Sequence, residues 1–131
     1  LLHFSPKPLE NKPGNGFHIN ISVKSSEHPE NLCYMIAGIL DKIEDMTAFL
    51  NPTEDSYKRF GNNKAPRYIS WSSENRSQLV RIPAAVGEYR RAELRSPDPS
   101  ANPYLAFTLM IYAGLHGIKN KLDLPPAADH V

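Results

Sequence analysis

With 131 residues, 40% of them hydrophobic and 22% charged, the chain carries enough apolar material for one packed domain. A formal net charge of +1 excludes a nucleic-acid binder that works by bulk charge, although four arginines concentrate between positions 76 and 91. The single cysteine, Cys33, excludes a disulfide framework or thiolate metal site, and no run of 18 apolar residues exists, so a soluble, cytoplasmic chain without a membrane or nucleic-acid partner is expected.

In chain order, residues 3–8 read as a short strand closed by Pro6 and Pro8, and 11–16 as a Gly- and Asn-rich turn. Residues 17–23 alternate: Phe17, Ile19, Ile21 and Val23 fall on one face, His18, Asn20 and Ser22 on the other. That is the pattern of a half-buried strand with a polar face. A helix is expected over 27–50, capped by Ser26 with Pro29 in its first turn. Leu32, Met35, Ile36, Ile39, Leu40, Ile43, Met46 and Leu50 recur along it at spacings of three and four, and Cys33 falls among them as a buried thiol. Asn51-Pro52 stops the helix.

Residues 52–66 lack periodicity and read as a long loop. Strands are expected over 67–71 and 78–83, joined by the polar stretch SSENRS, and again over 90–96. Asn102 then caps a second helix with Pro103 at its first position, running to about residue 121 with Leu105, Leu109, Ala113 and Ile118 toward the core. The Pro-rich end reads as a tail with no closing element, and the two ends together suggest a piece of a longer chain. A consecutive group of strands plus two amphipathic helices implies an α+β fold: an antiparallel sheet with both helices on one face and a polar face opposite.

The chemistry concentrates on that polar face. In an extended segment Arg91, Glu93 and Arg95 point one way, Ala92 and Leu94 the other. A cation–carboxylate–cation ladder is costly to bury unless it meets charged ligands or a metal, and it suits a di-anionic or phosphorylated substrate beside a divalent cation. A solvated strand face of paired charges accounts for the same residues. His18 and Glu93 are both acceptable donors to a hard divalent cation, but two ligands do not complete a shell, and a lone strand histidine is more often structural. Arg59, Arg76, Arg81, Arg91 and Arg95 supply guanidinium forks for carboxylate and phosphate oxygens. Phosphoryl transfer needs mainly positioning and charge neutralisation, which such a set can provide. There is no Walker-type loop, and no Ser-His-Asp or Cys-His arrangement that would support nucleophilic hydrolysis.

The strings GNGFHINIS, NPTEDSYKRF, NRSQLVRIP, RRAELRSPDPSANPYLAF and GIKNKLD, in that order, closely resemble the C-terminal catalytic domain of glutamine synthetases. The likeness runs from Lys7 to the Pro-rich end. It implies a ligase that joins glutamate and ammonium at the expense of ATP through a γ-glutamyl phosphate, with Mg²⁺ or Mn²⁺, as part of a homo-oligomeric ring. By position, His18 and Glu93 resemble ligands of the metal facing the ATP γ-phosphate. Gly14 resembles the glycine lining the glutamate site, and Arg59 and Arg95 the arginines that grip its carboxylates, with Arg59 and Arg81 in catalytic roles. Asn20, Ser22, Arg76, Arg81 and Arg91 fall on the nucleotide side.

The resemblance further implies that residues 1–131 are part of a catalytic domain, lacking the N-terminal domain and the C-terminal remainder, and inactive alone. Three positions depart from the family pattern. Asn20 stands where a second histidine is frequent, Pro13 replaces an asparagine, and Lys64 occupies the place of the glutamate that ends the flap loop. A lysine there repels ammonium and is a poor base at neutral pH. Lys64 therefore leaves open a γ-glutamyl ligase for another amine, or a non-catalytic relative with a regulatory role.

Overall fold

The computed structural model describes residues 2–24, 27–84 and 90–129. Seven elements follow one another: β1 (Ile19–Ile21), α1 (Asn31–Leu50), α2 (Glu54–Arg59), β2 (Tyr68–Ser72), β3 (Gln78–Arg81), β4 (Ala92–Leu94) and α3 (Pro103–Asn120). The strands form one sheet in the order β1-β4-β3-β2. Two of its three pairings, β1 with β4 and β3 with β4, are antiparallel. This is the expected α+β arrangement, with one difference: β2 and β3 run parallel, with an irregularity between Tyr68 and Trp71.

Parallel neighbours normally need a long crossover. Here five residues return the chain, and side chains make that possible. The Ser72 hydroxyl accepts the amides of Glu74 and Asn75, while the Asn75 side-chain oxygen Oδ1 accepts both the amide and the hydroxyl of Ser77. Such local bonds substitute for a ladder in a tight return.

α1 carries the predicted apolar stripe into the core; of its eight positions only Leu40 is partly exposed. It begins at Asn31 rather than near 27, and the proposed cap Ser26 lies outside the described residues. Cys33 is half-buried. α3 packs on α1 through Ala113 as expected, with Leu109 and Ile118 against the core, but Leu105 stays outside and small residues make the closest contact. Its buried residues are Ala106, Met110, Ala113, Gly114 and Gly117, whereas Leu105 is exposed and Leu109 and Ile118 are partly buried.

The close contact has a steric basis. A Cβ on Gly117 would sit 2.0 Å from the Tyr34 carbonyl oxygen, and one on Gly38 would sit 2.2 Å from that of Ala113, so the helices cross backbone to backbone. Tyr104, Phe107, Ile111, Tyr112 and Leu115 consequently face outward. Beneath both helices, Ile19, Leu79, Val80, Ala92 and Leu94 close the core from the sheet.

Three further expectations change. Residues 3–5 are irregular and 6–8 are bends, not a strand, since Pro6 and Pro8 have no amide to donate. The supposed loop of 52–66 holds α2, started by a reciprocal pair in which Thr53 and Ser56 each bond the other's amide. The Pro-rich tail does close on the fold. Trp71 Nε1 donates to the Pro125 carbonyl at 2.6 Å, the Ala128 amide to the Trp71 carbonyl at 2.8 Å, and the Ser72 hydroxyl to Asp129. No helix among the described residues is long and apolar enough to cross a membrane.

Candidate active site

On the polar face of the sheet, a cleft of about 780 Å³ opens between the Gly14–Gly16 turn, the end of α2, the segment after it and the strands β3 and β4. Each wall follows from local sequence. The turn folds back because the Asn15 amide and side chain bond the Pro6 and Ser5 carbonyls. Gly14 is obligatory at this approach, since a Cβ there would lie 2.1 Å from the Pro6 carbonyl oxygen. α2 delivers Arg59 at its last residue, β3 delivers Arg81, and the turn between β2 and β3 delivers Arg76.

Glu93 is the centre of the cleft. One carboxylate oxygen accepts Arg95 Nη1 at 2.6 Å and the other accepts Arg81 Nη2 at 2.8 Å. His18 Nδ1 lies 3.5 Å from the oxygen that Arg95 holds. Arg95 also donates Nη2 to the Lys64 carbonyl at 2.6 Å, fastening the segment after α2 to β4. Arg59 is 2% exposed, with Nη1 on the Ser96 carbonyl and Nη2 on the Arg95 carbonyl, each at 2.8 Å. Behind it, fully buried Asp98 is held by Asn51 and by the amide and hydroxyl of Ser100.

Electrostatics follow from this crowding. Burial and the nearby Arg95 push His18 down to about 4 against the pull of Glu93, so its imidazole is neutral at pH 7. Burial raises the Glu93 carboxyl, but hydrogen bonds from Arg81 and Arg95 outweigh it and hold the group ionised below its ordinary value. Burial lowers Arg59 while Asp98 opposes it, and burial lowers Arg95 while Glu93 opposes it. The Nε–H groups of Arg81 and Arg95 are buried and have no acceptor among the described residues. A cleft with several guanidiniums, one lysine and one carboxylate is built for an anion.

Of the residues singled out from sequence, Gly14, His18, Arg59, Arg76, Arg81, Glu93 and Arg95 line this cleft together. Asn20 and Arg91 stand apart from it, bonded to each other at 3.2 Å on the exposed stretch of the same strands. Ser22 is exposed and also outside it. Sequence reasoning missed Gly16, Asn62, Asn63 and the support residues Asn51 and Asp98. The Gly-Asn-Gly spacing and the Pro-Asp-Pro triplet were the available signals.

A neutral imidazole and a carboxylate 3.5 Å apart fit two positions of one divalent cation. They do not make a complete set: among the described residues no three His, Cys, Asp or Glu side chains cluster suitably.

Comparison with known proteins agrees with this geometry. Residues 1–130 match the family model described as glutamine synthetase, catalytic domain. The chain is 47% identical to a glutamine synthetase of Methanosarcina mazei and 48% identical to one of Pyrococcus furiosus, each over 92% of this chain and 30% of the relative. It therefore spans about a third of the length of these curated relatives. The cryo-electron-microscopy structure of Plasmodium falciparum glutamine synthetase superposes with a TM-score of 0.82 at 32% identity, over 91% of this chain and 26% of that one.

Proposed function

The chain belongs to the glutamine synthetase catalytic-domain family, and we propose that its cleft is the guanidinium-rich side of a site ligating glutamate and ammonium to glutamine. ATP drives the step through a γ-glutamyl phosphate. The observation that carries this reading is the Arg81–Glu93–Arg95 array with His18 beside it. In this reading His18 and Glu93 would hold one Mg²⁺ or Mn²⁺, which when bound neutralises charge on the transferred phosphoryl group. The rest of that shell comes from residues outside this set or from water and phosphate oxygens.

The chain's own residues do the positioning. The buried Nε–H groups of Arg81 and Arg95 have no acceptor among the described residues, and in this reading substrate anions supply one, the glutamate carboxylate at Arg95 and the phosphoryl group in transfer at Arg81. Arg76, which lines the cleft from the turn between β2 and β3, is a further phosphate contact. Gly14 allows the turn to close over the carboxylate. Asn20, Ser22 and Arg91 extend the same strand faces toward the nucleotide base and sugar. The 131 residues act as part of a catalytic domain, without synthetase activity alone, within a homo-oligomeric ring.

One observation favours a second reading of the acceptor. Among the described residues Glu93 is the only acid lining the cleft, and both its oxygens are engaged by arginines, while Lys64 stands at the rim. None of the described residues lining the cleft is a free carboxylate base for ammonium, so a γ-glutamyl transfer to a pre-neutral amine fits these residues too.

A graft tests both. Residues 1–131 replace the matching segment of the Pyrococcus furiosus relative, and γ-glutamyl hydroxamate formation and ADP release are measured with glutamate and a panel of amines. Turnover with ammonium, lost in R81A, is expected; turnover only with larger amines selects the second reading. An assembled graft that binds ATP but turns over no amine overturns both.

A further inference from the structure

We propose that the C-terminal segment braces the phosphate side of the cleft, with Asp129, acting through the Ser72 hydroxyl, as a positioning residue for the turn that carries Arg76. The inference deepens the ATP-dependent reading above and rests on it only for the identity of the anion that Arg76 meets.

The turn of 73–77 has little of its own to hold it. It joins two parallel strands, so no hairpin ladder closes across it. Its far end is fixed by the Ser77 carbonyl, which accepts the Arg67 and Tyr68 amides at 2.7 and 3.1 Å. Its near end depends on Ser72, whose hydroxyl accepts the Glu74 amide at 3.2 Å and the Asn75 amide at 3.0 Å. Arg76 follows directly and lines the cleft.

A hydroxyl accepts twice and donates once. Ser72 is fully buried and spends both lone pairs on the turn, so its proton needs a partner, and the direction of that proton sets where the lone pairs point. The partner is Asp129 Oδ1. A carboxylate acceptor makes this a charge-assisted bond, stronger than the two amide bonds it orients. The same segment is registered against β2 by Trp71, whose Nε1 donates to the Pro125 carbonyl at 2.6 Å and whose carbonyl accepts the Ala128 amide at 2.8 Å. Those bonds deliver Asp129 beside Ser72. Asp129 is otherwise exposed, so truncating it removes the acceptor without opening the core.

The test uses D129A, D129N, R76A and D129A/R76A in the grafted enzyme. Asparagine keeps an acceptor oxygen at the same reach. In the ligand-free protein, amide hydrogen exchange of 73–77 should rise about tenfold in D129A while α1 and α3 stay within about twofold. Calorimetric affinity for MgATP should fall about tenfold in D129A, recover to within about threefold of the parent in D129N, and change less than about twofold when D129A is added to R76A. Affinity for L-glutamate should stay within about twofold in D129A.

Equal loss of MgATP affinity in both backgrounds, a matching loss of glutamate affinity, or unchanged exchange at 73–77 overturns the proposal. Should the parent bind no MgATP, the ATP-dependent reading fails, and exchange alone decides the role of Asp129. If D129A does not fold, S72A replaces it, and exchange must rise in the same turn or the proposal falls.

Discussion

Replacing Glu93 by glutamine is the sharpest probe of how the cleft is held together. The substitution preserves shape but removes the charge shared by Arg81 and Arg95. The new amide accepts from one guanidinium and turns an N–H toward the other. Removing one member of a buried ion pair costs about 3–5 kcal/mol. The Arg81 side chain is 23% exposed, so water recovers part of that on one side, leaving about 2–4 kcal/mol. For a domain of this size that lowers Tm by roughly 8–15 °C.

The pH dependence gives the diagnostic. Because the folded carboxyl titrates below its ordinary value of 4.5, the unfolded chain takes up the proton first as pH falls. The stabilisation is full above that value and is lost as pH drops through the folded one. Urea melts of wild type and E93Q at pH 7 and in steps below pH 4.5 should converge in acid. A pH 7 difference under about 0.5 kcal/mol, or one that persists in acid, refutes the argument that the arginines depend on this charge.

Two further outcomes follow from the same coordinates. His18 should titrate near 4 by NMR of its ring protons; since the unfolded imidazole titrates near 6.5, its contribution to stability is complete above 6.5 and is lost as pH falls from 6.5 to 4, and a measured value near 6.5 would contradict the burial described. At the helix crossing, G117A drives a Cβ to 2.0 Å from a backbone carbonyl and should cost more than G114A, whose Cβ meets the buried Met35 side chain at 2.7 Å; thermal melts that rank them equally would show the crossing to be looser than 2.0 Å implies.

The sequence by itself determined the features that depend on near neighbours. The α1 stripe, the Asn102 cap whose side-chain oxygen accepts the Tyr104 and Leu105 amides, and the alternation that sets His18 on a polar face all follow from backbone periodicity and one or two local bonds. The cluster of His18, Glu93 and arginines was legible for the same reason, as charged positions on predicted strand faces.

Only the tertiary structure decided which of them meet. The parallel β2–β3 pair depends on a five-residue return held by Ser72 and Asn75, and α3 turns its glycines inward because two backbones touch, a preference hydropathy does not register. Arg59 and Arg95 look alike in sequence, yet Arg59 closes on two backbone carbonyls while Arg95 bonds Glu93 and the Lys64 carbonyl, since hydrogen-bond partners far apart along the chain are assigned by packing.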